Sequence, residues 1–124
     1  MEINSLIPNH PWVIEAYGNG GFRIAGQRYD GNRLLFRERN DALPARTFAE
    51  FKVEHLEPLW TGSSNVDLLL IGCGGTMEHL SENLRESLKT HGVGVDSMDT
   101  SSACRTYNIL LSEERLVAAV LFSV

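Results

Sequence analysis

Residues 98–108, MDTSSACRTYN, concentrate side chains that could do chemistry. A carboxylate, a thiol, a guanidinium group, a phenol and an amide lie among four Ser and Thr hydroxyl groups. A cysteine in the first turn of a helix, followed by an arginine, is favoured as a thiolate because the positive helix end and the cation both stabilise negative charge. Cys104, followed by Arg105, is therefore a candidate nucleophile.

The same stretch also fits a plain helix start. Asp99 is a good N-cap residue, and small cysteines are often buried without any reactive role. No histidine lies near Cys104 in the sequence, so a general base would have to come from elsewhere in the fold. Cys73 could approach Cys104 and form a redox pair. These residues therefore do not identify the chain as an enzyme, and a binding role is favoured over a catalytic one.

A second candidate site is the glycine loop Gly72-Cys73-Gly74-Gly75, which follows the apolar run Val66–Ile71. Loops between a buried strand and a helix often bind phosphate or other anions. The dinucleotide pattern G-x-G-x-x-G fails, because Met77 stands where the third glycine belongs. A tight strand-to-helix turn is favoured, with an anion site as the alternative. The two cysteines and four histidines show no ligand-like spacing, so neither a metal site nor a cofactor is predicted.

Composition excludes several classes of protein. The 124 residues are 43% hydrophobic and 22% charged, and the net charge is −5. This length predicts a single domain spanning residues 1–124, and the negative charge argues against general nucleic-acid binding. The longest apolar runs are far shorter than the roughly 20 residues that cross a bilayer. The chain start shows no secretory signal, so a cytoplasmic location is predicted.

The first half of the chain, residues 12–52, reads as a β-meander. Glycines and Asn or Asp residues separate runs of strand-forming residues, as hairpin turns require. Residues 37–46 read as a polar loop. The predicted strands are Trp12–Tyr17, Phe22–Ala25, Arg33–Phe36 and, more briefly, Thr47–Phe51, with a short helix or turn at Val53–Trp60.

The second half, residues 66–124, alternates strands and helices. The predicted strands are Val66–Ile71, Val93–Met98 and Arg115–Phe122, and the predicted helices run from about Thr76 to His91 and from Asp99 to about Ser112. In the first helix, Met77, Leu80, Leu84 and Leu88 form an apolar stripe, with Thr76 as N-cap and Gly92 as terminator. The class is α/β, in three layers: a central mixed sheet of about five strands with helices, plus an N-terminal β-hairpin layer.

The two candidate sites are expected to meet at one edge of this sheet. The carboxyl ends of neighbouring parallel strands share an edge, where ligand crevices usually form. On a helical wheel, Ala103, Tyr107, Leu110 and Leu111 face the core. Cys104, Arg105 and Asn108 form an exposed polar stripe. The predicted binding residues are Gly72, Gly74, Asp99, Thr100, Cys104, Arg105 and Asn108.

The stretch MDTSSACRTYNILLSEERLVAAVLF, residues 98–122, resembles the signature of a small domain family that includes mitochondrial respiratory complex I assembly factor three. The pattern Met-Asp-Thr-x-x-Ala-Cys-Arg-Thr-Tyr-Asn is matched from Met98 to Asn108. A Glu-x-Arg-x-Val-Ala-Ala pattern is approximated by residues 113–119. Leu70–Gly74 is similar to the family's apolar strand and Gly-Thr-Gly turn, although Cys73 replaces threonine, which weakens any redox pairing with Cys104.

The resemblance implies a mixed five-stranded sheet with helices and an added β layer, and it brings no established enzymatic activity. Members from mitochondria help assemble complex I and bind another assembly factor, and this chain looks like a stand-alone bacterial-type member. The predicted function is therefore a non-enzymatic, assembly-factor-like domain. It binds a protein, such as a respiratory-complex subunit or assembly factor, and its location is cytoplasmic or peripheral at the inner membrane through that partner. The alternative is a small-ligand or anion binder, or an enzyme that uses Cys104.

Overall fold

The computed structural model describes residues 12–36, 39–61 and 65–124. The prediction that no secretory signal is present concerns residues 1–11, which lie outside these ranges. The strands are β1 (Ile14–Gly18), β2 (Gly21–Ile24), β3 (Gln27–Asp30), β4 (Arg33–Phe36), β5 (Arg39–Ala42), β6 (Leu68–Gly72), β7 (Gly94–Met98) and β8 (Val117–Leu121). The helices are α1 (Glu82–Thr90) and α2 (Thr100–Ser112), with 3-10 helices at Phe48–Glu50 and Val53–Leu59.

The N-terminal meander is a separate sheet of three antiparallel strands in the order β1-β2-β3. The prediction that Arg33–Phe36 is the third strand of this meander is wrong. Its place is taken by Gln27–Asp30, a polar strand that alternation of apolar residues could not reveal. Arg33–Phe36 is instead β4, and all four of its residues are buried.

The larger sheet has five strands in the order β5-β4-β8-β6-β7. β6 pairs in parallel with both β7 and β8, whereas β4 pairs antiparallel with β5 and β8, so the sheet is mixed. The prediction of a mixed sheet of about five strands is confirmed. The apolar C-terminal strand β8 occupies its centre, where both edges of a strand are paired and neither is left open.

Two elements near the middle of the chain differ from prediction. Residues 37–46 were expected to be a loop, yet Arg39–Ala42 forms edge strand β5, while residues 37 and 38 lie outside the described ranges. Thr47–Phe51 was expected to be a strand, yet it contains the 3-10 helix Phe48–Glu50. The helical alternative at Val53–Trp60 is confirmed by the second 3-10 helix.

Helix α1 begins later than predicted. Ser81 is its N-cap, because the Ser81 hydroxyl oxygen accepts a 3.2 Å hydrogen bond from the Leu84 amide. Thr76 is therefore not the cap. Met77 lies outside the helix and is 50% exposed, so its assignment to the apolar stripe is wrong. Leu84 and Leu88 are buried as predicted, and Gly92 ends the segment at φ +71°.

Each face of the five-stranded sheet carries its own apolar cluster. The first cluster joins one face to α1 and the second 3-10 helix through residues such as Ile71, Leu84 and Val120. The second joins the opposite face to α2 and the meander through residues such as Leu70 and Tyr107. Successive residues of β8 alternate between the two clusters, as a central strand requires. The predicted three-layer arrangement is thus observed.

Candidate functional site

The glycine turn and the start of α2 lie against each other. A Cβ atom added at Gly72 would lie 3.0 Å from both the Thr100 Cα and the Ala103 Cβ, so a side chain there would push the helix away from β6. The Thr100 amide donates to the Gly74 carbonyl at 2.8 Å. The predicted meeting of Gly72–Gly74 with Asp99–Asn108 is therefore present in the structure.

Thr100 stabilises this junction through two hydrogen bonds of its buried side chain. Its side chain is fully buried, and its hydroxyl donates to the Phe122 carbonyl at 2.7 Å while accepting from the Gly74 amide at 2.8 Å. Thr100, one of the predicted binding residues, therefore uses its hydroxyl group within the chain. The Gly74 amide is also occupied, which removes it as a donor for an anion in the glycine loop.

Asp99 is the N-cap of α2, as predicted. Its Oδ1 accepts from the Ser102 amide at 3.2 Å, and its Oδ2 accepts from the Ser102 hydroxyl at 3.0 Å and the Ser101 hydroxyl at 3.4 Å. The Ser102 hydroxyl bond is the largest cause that lowers the pKa of Asp99. The carboxylate is therefore charged at neutral pH and half-exposed.

Cys104 does not have the surroundings of a nucleophile. Its side chain is fully buried, and burial raises its pKa from 9.0 to about 12, although Arg105 acts in the opposite direction. The expectation that the helix end would favour a thiolate is wrong because the cost of desolvation is larger. Cys73 packs in the first cluster and Cys104 in the second, so the two thiols lie on opposite faces of the sheet. A redox pair between them is excluded.

Asn108 is also inside rather than on an exposed stripe. It is 5% exposed, its Oδ1 accepts from the Ile14 amide at 3.0 Å, and its Nδ2 donates to the Ile14 carbonyl at 2.7 Å. The side chain therefore joins α2 to β1. Helix α2 contacts β6 and β8 on one side and β1 on another. Because two layers cover it, more of its surface is buried than in a helix that packs against a single sheet.

Arg105 is the predicted site residue with the most exposed side chain, and its Nη2 donates to the Ser101 hydroxyl at 3.3 Å. Ile109, one turn later, is 57% exposed, which is unusual for a large apolar side chain. We call Ser101, Arg105 and Ile109 the outer stripe of α2, since they follow one another at i, i+4 and i+8. Ile109 is not among the predicted site residues, although its spacing of four from Arg105 places it on the same stripe.

Two cavities among the described residues lie away from this stripe. One of about 410 Å³ is lined by β5 and the second 3-10 helix and includes Arg39, Asp41 and His55. Another of about 340 Å³ includes Phe48, Phe51 and His79. Neither is lined by a predicted binding residue. Within the described ranges, no three His, Cys, Asp or Glu side chains are placed to hold a metal ion.

The fold and this site define a class: a mixed α/β domain whose glycine turn, capped helix and buried cysteine form a structural junction beneath an outer helix stripe. The family model described as "Protein of unknown function (DUF498/DUF598)" matches residues 14–122. The chain belongs to this family, and the relationship inferred from residues 98–122 is confirmed.

Individual relatives agree with this assignment. An uncharacterised protein from Rhodobacter capsulatus is 42% identical over 108 residues, which cover 87% of this chain and 82% of that protein. The NADH dehydrogenase [ubiquinone] 1 alpha subcomplex assembly factor 3 of Xenopus tropicalis is 31% identical over 87% of this chain. The match spans 59% of the length of that assembly factor.

A solved structure shows the same fold. The crystal structure of a Bartonella henselae protein described as an outer membrane protein is 35% identical and superposes with a TM-score of 0.86. The match covers 95% of this chain and 98% of that one. In the part of the chain described here, no helix has the length and apolar character needed to cross a membrane.

Proposed function

We propose that this chain is a non-enzymatic protein-binding domain that acts as an assembly factor for respiratory complex I. The Xenopus tropicalis relative carries that role in its name, and this chain matches about three fifths of its length. The partner is a subunit of the complex or another assembly factor. A peripheral location at the inner membrane, through that partner, is part of the proposal.

The observation that carries the proposal is the outer stripe of α2. Arg105 offers a guanidinium group for charge-assisted bonds, and Ile109 exposes an apolar side chain next to it. Arginine beside an apolar contact is a common composition for the centre of a protein interface. Beneath the stripe, the bonds of Thr100, Asp99 and Asn108 hold α2 rigidly, so little entropy is lost when a partner binds.

An enzymatic role through Cys104 has less support. Its thiol is buried and its pKa is raised, whereas a nucleophilic cysteine needs access and a lowered pKa. An anion site in the glycine loop is also weakened, because the Gly74 amide already donates to Thr100. The predicted surface around Gly74, Asp99 and Arg105 remains as a rim for partner binding.

The test is affinity capture of complex I subunits with wild-type protein, with Arg105→Ala and with Ile109→Ala. We expect each variant to recover about tenfold less of the bound subunits, corresponding to about 1.4 kcal/mol of binding. Arg85→Ala is the matched control, because Arg85 is an exposed arginine on α1, which packs on the opposite face of the sheet.

The unfolding midpoints should be nearly unchanged in all three variants, since each altered side chain is exposed. Equal recovery of subunits by Arg105→Ala, Ile109→Ala and wild type would reject the stripe as the binding surface. Unfolding of Arg105→Ala would show that Arg105 has a structural role instead.

A further inference from the structure

Strand β7 is an edge of the five-stranded sheet, and its outer side carries free hydrogen-bonding groups. The Gly94 amide donates to Asp67 and the Met98 carbonyl accepts from Cys73, so these residues point toward β6. In a parallel ladder the direction alternates, so Asp96 also points toward β6 while Val95 and Ser97 point outward. No described residue pairs with the outward N–H and C=O groups of Val95 and Ser97.

The edge has little protection against strand addition. Natural edge strands are protected by charged side chains, proline or a bulge that prevents another strand from pairing with them, and β7 carries one such charge, Asp96. β7 has the sequence GVDSM, and its register with β6 is continuous from Gly94 to Met98. The opposite edge, β5, instead carries Arg39 paired with Asp41 at 2.9 Å. β5 is therefore the more heavily charged edge of the five-stranded sheet, with Arg39 and Asp41 against the single charged residue of β7, Asp96.

The charged residues in and directly beside β7 are all acidic. Asp67 lies beside its start, Asp96 is exposed at its middle, and Asp99 follows its end. No lysine or arginine occurs between residues 92 and 104. Val95 packs in the first cluster, so the Asp96 side chain lies on the opposite face, toward α2.

A second copy of this chain fits the edge poorly. The antiparallel register that would satisfy Val95 and Ser97 in both copies is centred on Asp96, and it places two Asp96 carboxylates directly opposite each other. Like charges in that position destabilise strand pairing. The edge therefore favours a different occupant.

We infer that β7 binds an extended segment of the partner protein as a sixth strand, through the main-chain groups of Val95 and Ser97. The segment has a lysine or arginine opposite Asp96 and apolar side chains on the face of Val95. This recognition mode takes affinity from main-chain bonds and specificity from alternate side chains. This inference depends on the proposed function only in one respect, namely that the binding partner is a protein.

The first measurement is amide hydrogen exchange of the free protein by NMR. The amides of Val95 and Ser97 should exchange quickly, while those of Gly94, Asp96 and Met98, which point to β6, should be protected. Protection of Val95 and Ser97 in the free protein would overturn the inference, because the edge would already be covered.

The second measurement uses a displayed library of random nine-residue peptides, selected on the wild-type protein. Enriched peptides should alternate basic and apolar residues and should protect the Val95 and Ser97 amides when they bind. Methylation of the backbone nitrogens that face β7 should weaken binding by tenfold or more, whereas methylation of the alternate nitrogens should not. Enriched peptides that protect other amides, or selection of no binder, would overturn the inference.

Two variants complete the test. Ser97→Pro removes an outward N–H and leaves the β6 ladder intact, so it should fold and bind the selected peptide at least tenfold more weakly. Asp96→Lys should weaken binding similarly through charge, and it keeps the inference testable if Ser97→Pro does not fold. Unchanged peptide affinity in Asp96→Lys would contradict the basic character of the segment.

The result is separable from the proposed function. Arg105→Ala should leave the peptide affinity within about twofold, because Arg105 lies on the outer stripe of α2 and not on β7. If Arg105→Ala loses subunit capture but no peptide binds β7, the strand-edge inference alone is rejected. A peptide binder on β7, with capture of complex I subunits absent from wild type, would reject the proposed function alone.

Discussion

At the scale of single residues, burial decides what the cluster at 98–108 does. Sequence spacing identified Asp99 as a cap, and the structure confirms this. It could not show that Cys104 and Asn108 are covered, because the covering residues are distant in the sequence: Asn108 bonds Ile14, 94 positions away. The chemistry available to Cys104 is therefore that of a small core side chain.

This burial predicts a pH effect. Between about pH 9 and pH 11, Cys104→Ala should lose stability less steeply than wild type. The pKa of Cys104 in the folded protein is about 12, above its ordinary 9.0, so the folded state keeps a proton that the unfolded chain releases. That stabilisation is complete below pH 9 and is lost as pH rises toward 12. The slopes should differ by up to about 1.4 kcal/mol per pH unit, measured by urea denaturation at several pH values.

Thr106→Ala is the control for this measurement, since Thr106 lies on the same helix and does not titrate. It should shift the free energy of unfolding by a similar amount at every pH. If Cys104→Ala and wild type lose stability in parallel above pH 9, Cys104 titrates normally and its thiol is accessible.

At the scale of helices and strands, the apolar elements were predicted from the sequence, whereas two polar strands were missed. β6 and β8 are almost entirely apolar, and both were found with nearly correct bounds. β3 and β5 have the sequences QRYD and RNDA, and each is an edge strand, so neither shows an apolar pattern. The late start of α1 was missed because Thr76 is also a common cap residue, although serine is the better cap by residue type.

The junction between α2 and the meander depends on one side chain. Asn108→Ala should reduce the free energy of unfolding by about 2–4 kcal/mol, because the buried N–H and C=O groups of Ile14 both lose their partner. Amide exchange in β1 and β2 should accelerate more than in β6 and β8. Denaturation together with hydrogen exchange measures both effects.

Ile109→Ala is the matched control, because Ile109 is the next residue on the helix and its side chain is exposed. It should cost less than about 0.5 kcal/mol, as most exposed substitutions do. A cost for Asn108→Ala as small as that of the control would mean that water satisfies Ile14, and that the meander is held by apolar packing alone.

At the scale of the whole molecule, the central sheet couples the two apolar clusters. Ala118 and Val120 belong to the first cluster, while Ala119 and Leu121 belong to the second. Loss of β8 from the sheet would therefore disrupt both faces together. The sequence supported this coupling through the continuous apolar character of residues 117–122, but the order of the strands required the structure.

The two tryptophans report on opposite faces and can test the coupling. Trp60 packs against the first cluster and Trp12 against the second, so Trp12→Phe and Trp60→Phe each leave one fluorescent probe. Since both clusters share β8, we expect the fluorescence midpoint in urea to coincide with the circular dichroism midpoint within each variant. Comparison within a variant removes any change in stability that the substitution itself causes. An earlier fluorescence transition for the protein that retains Trp12 would show that the meander layer unfolds before the five-stranded sheet, and that the chain is not one cooperative unit.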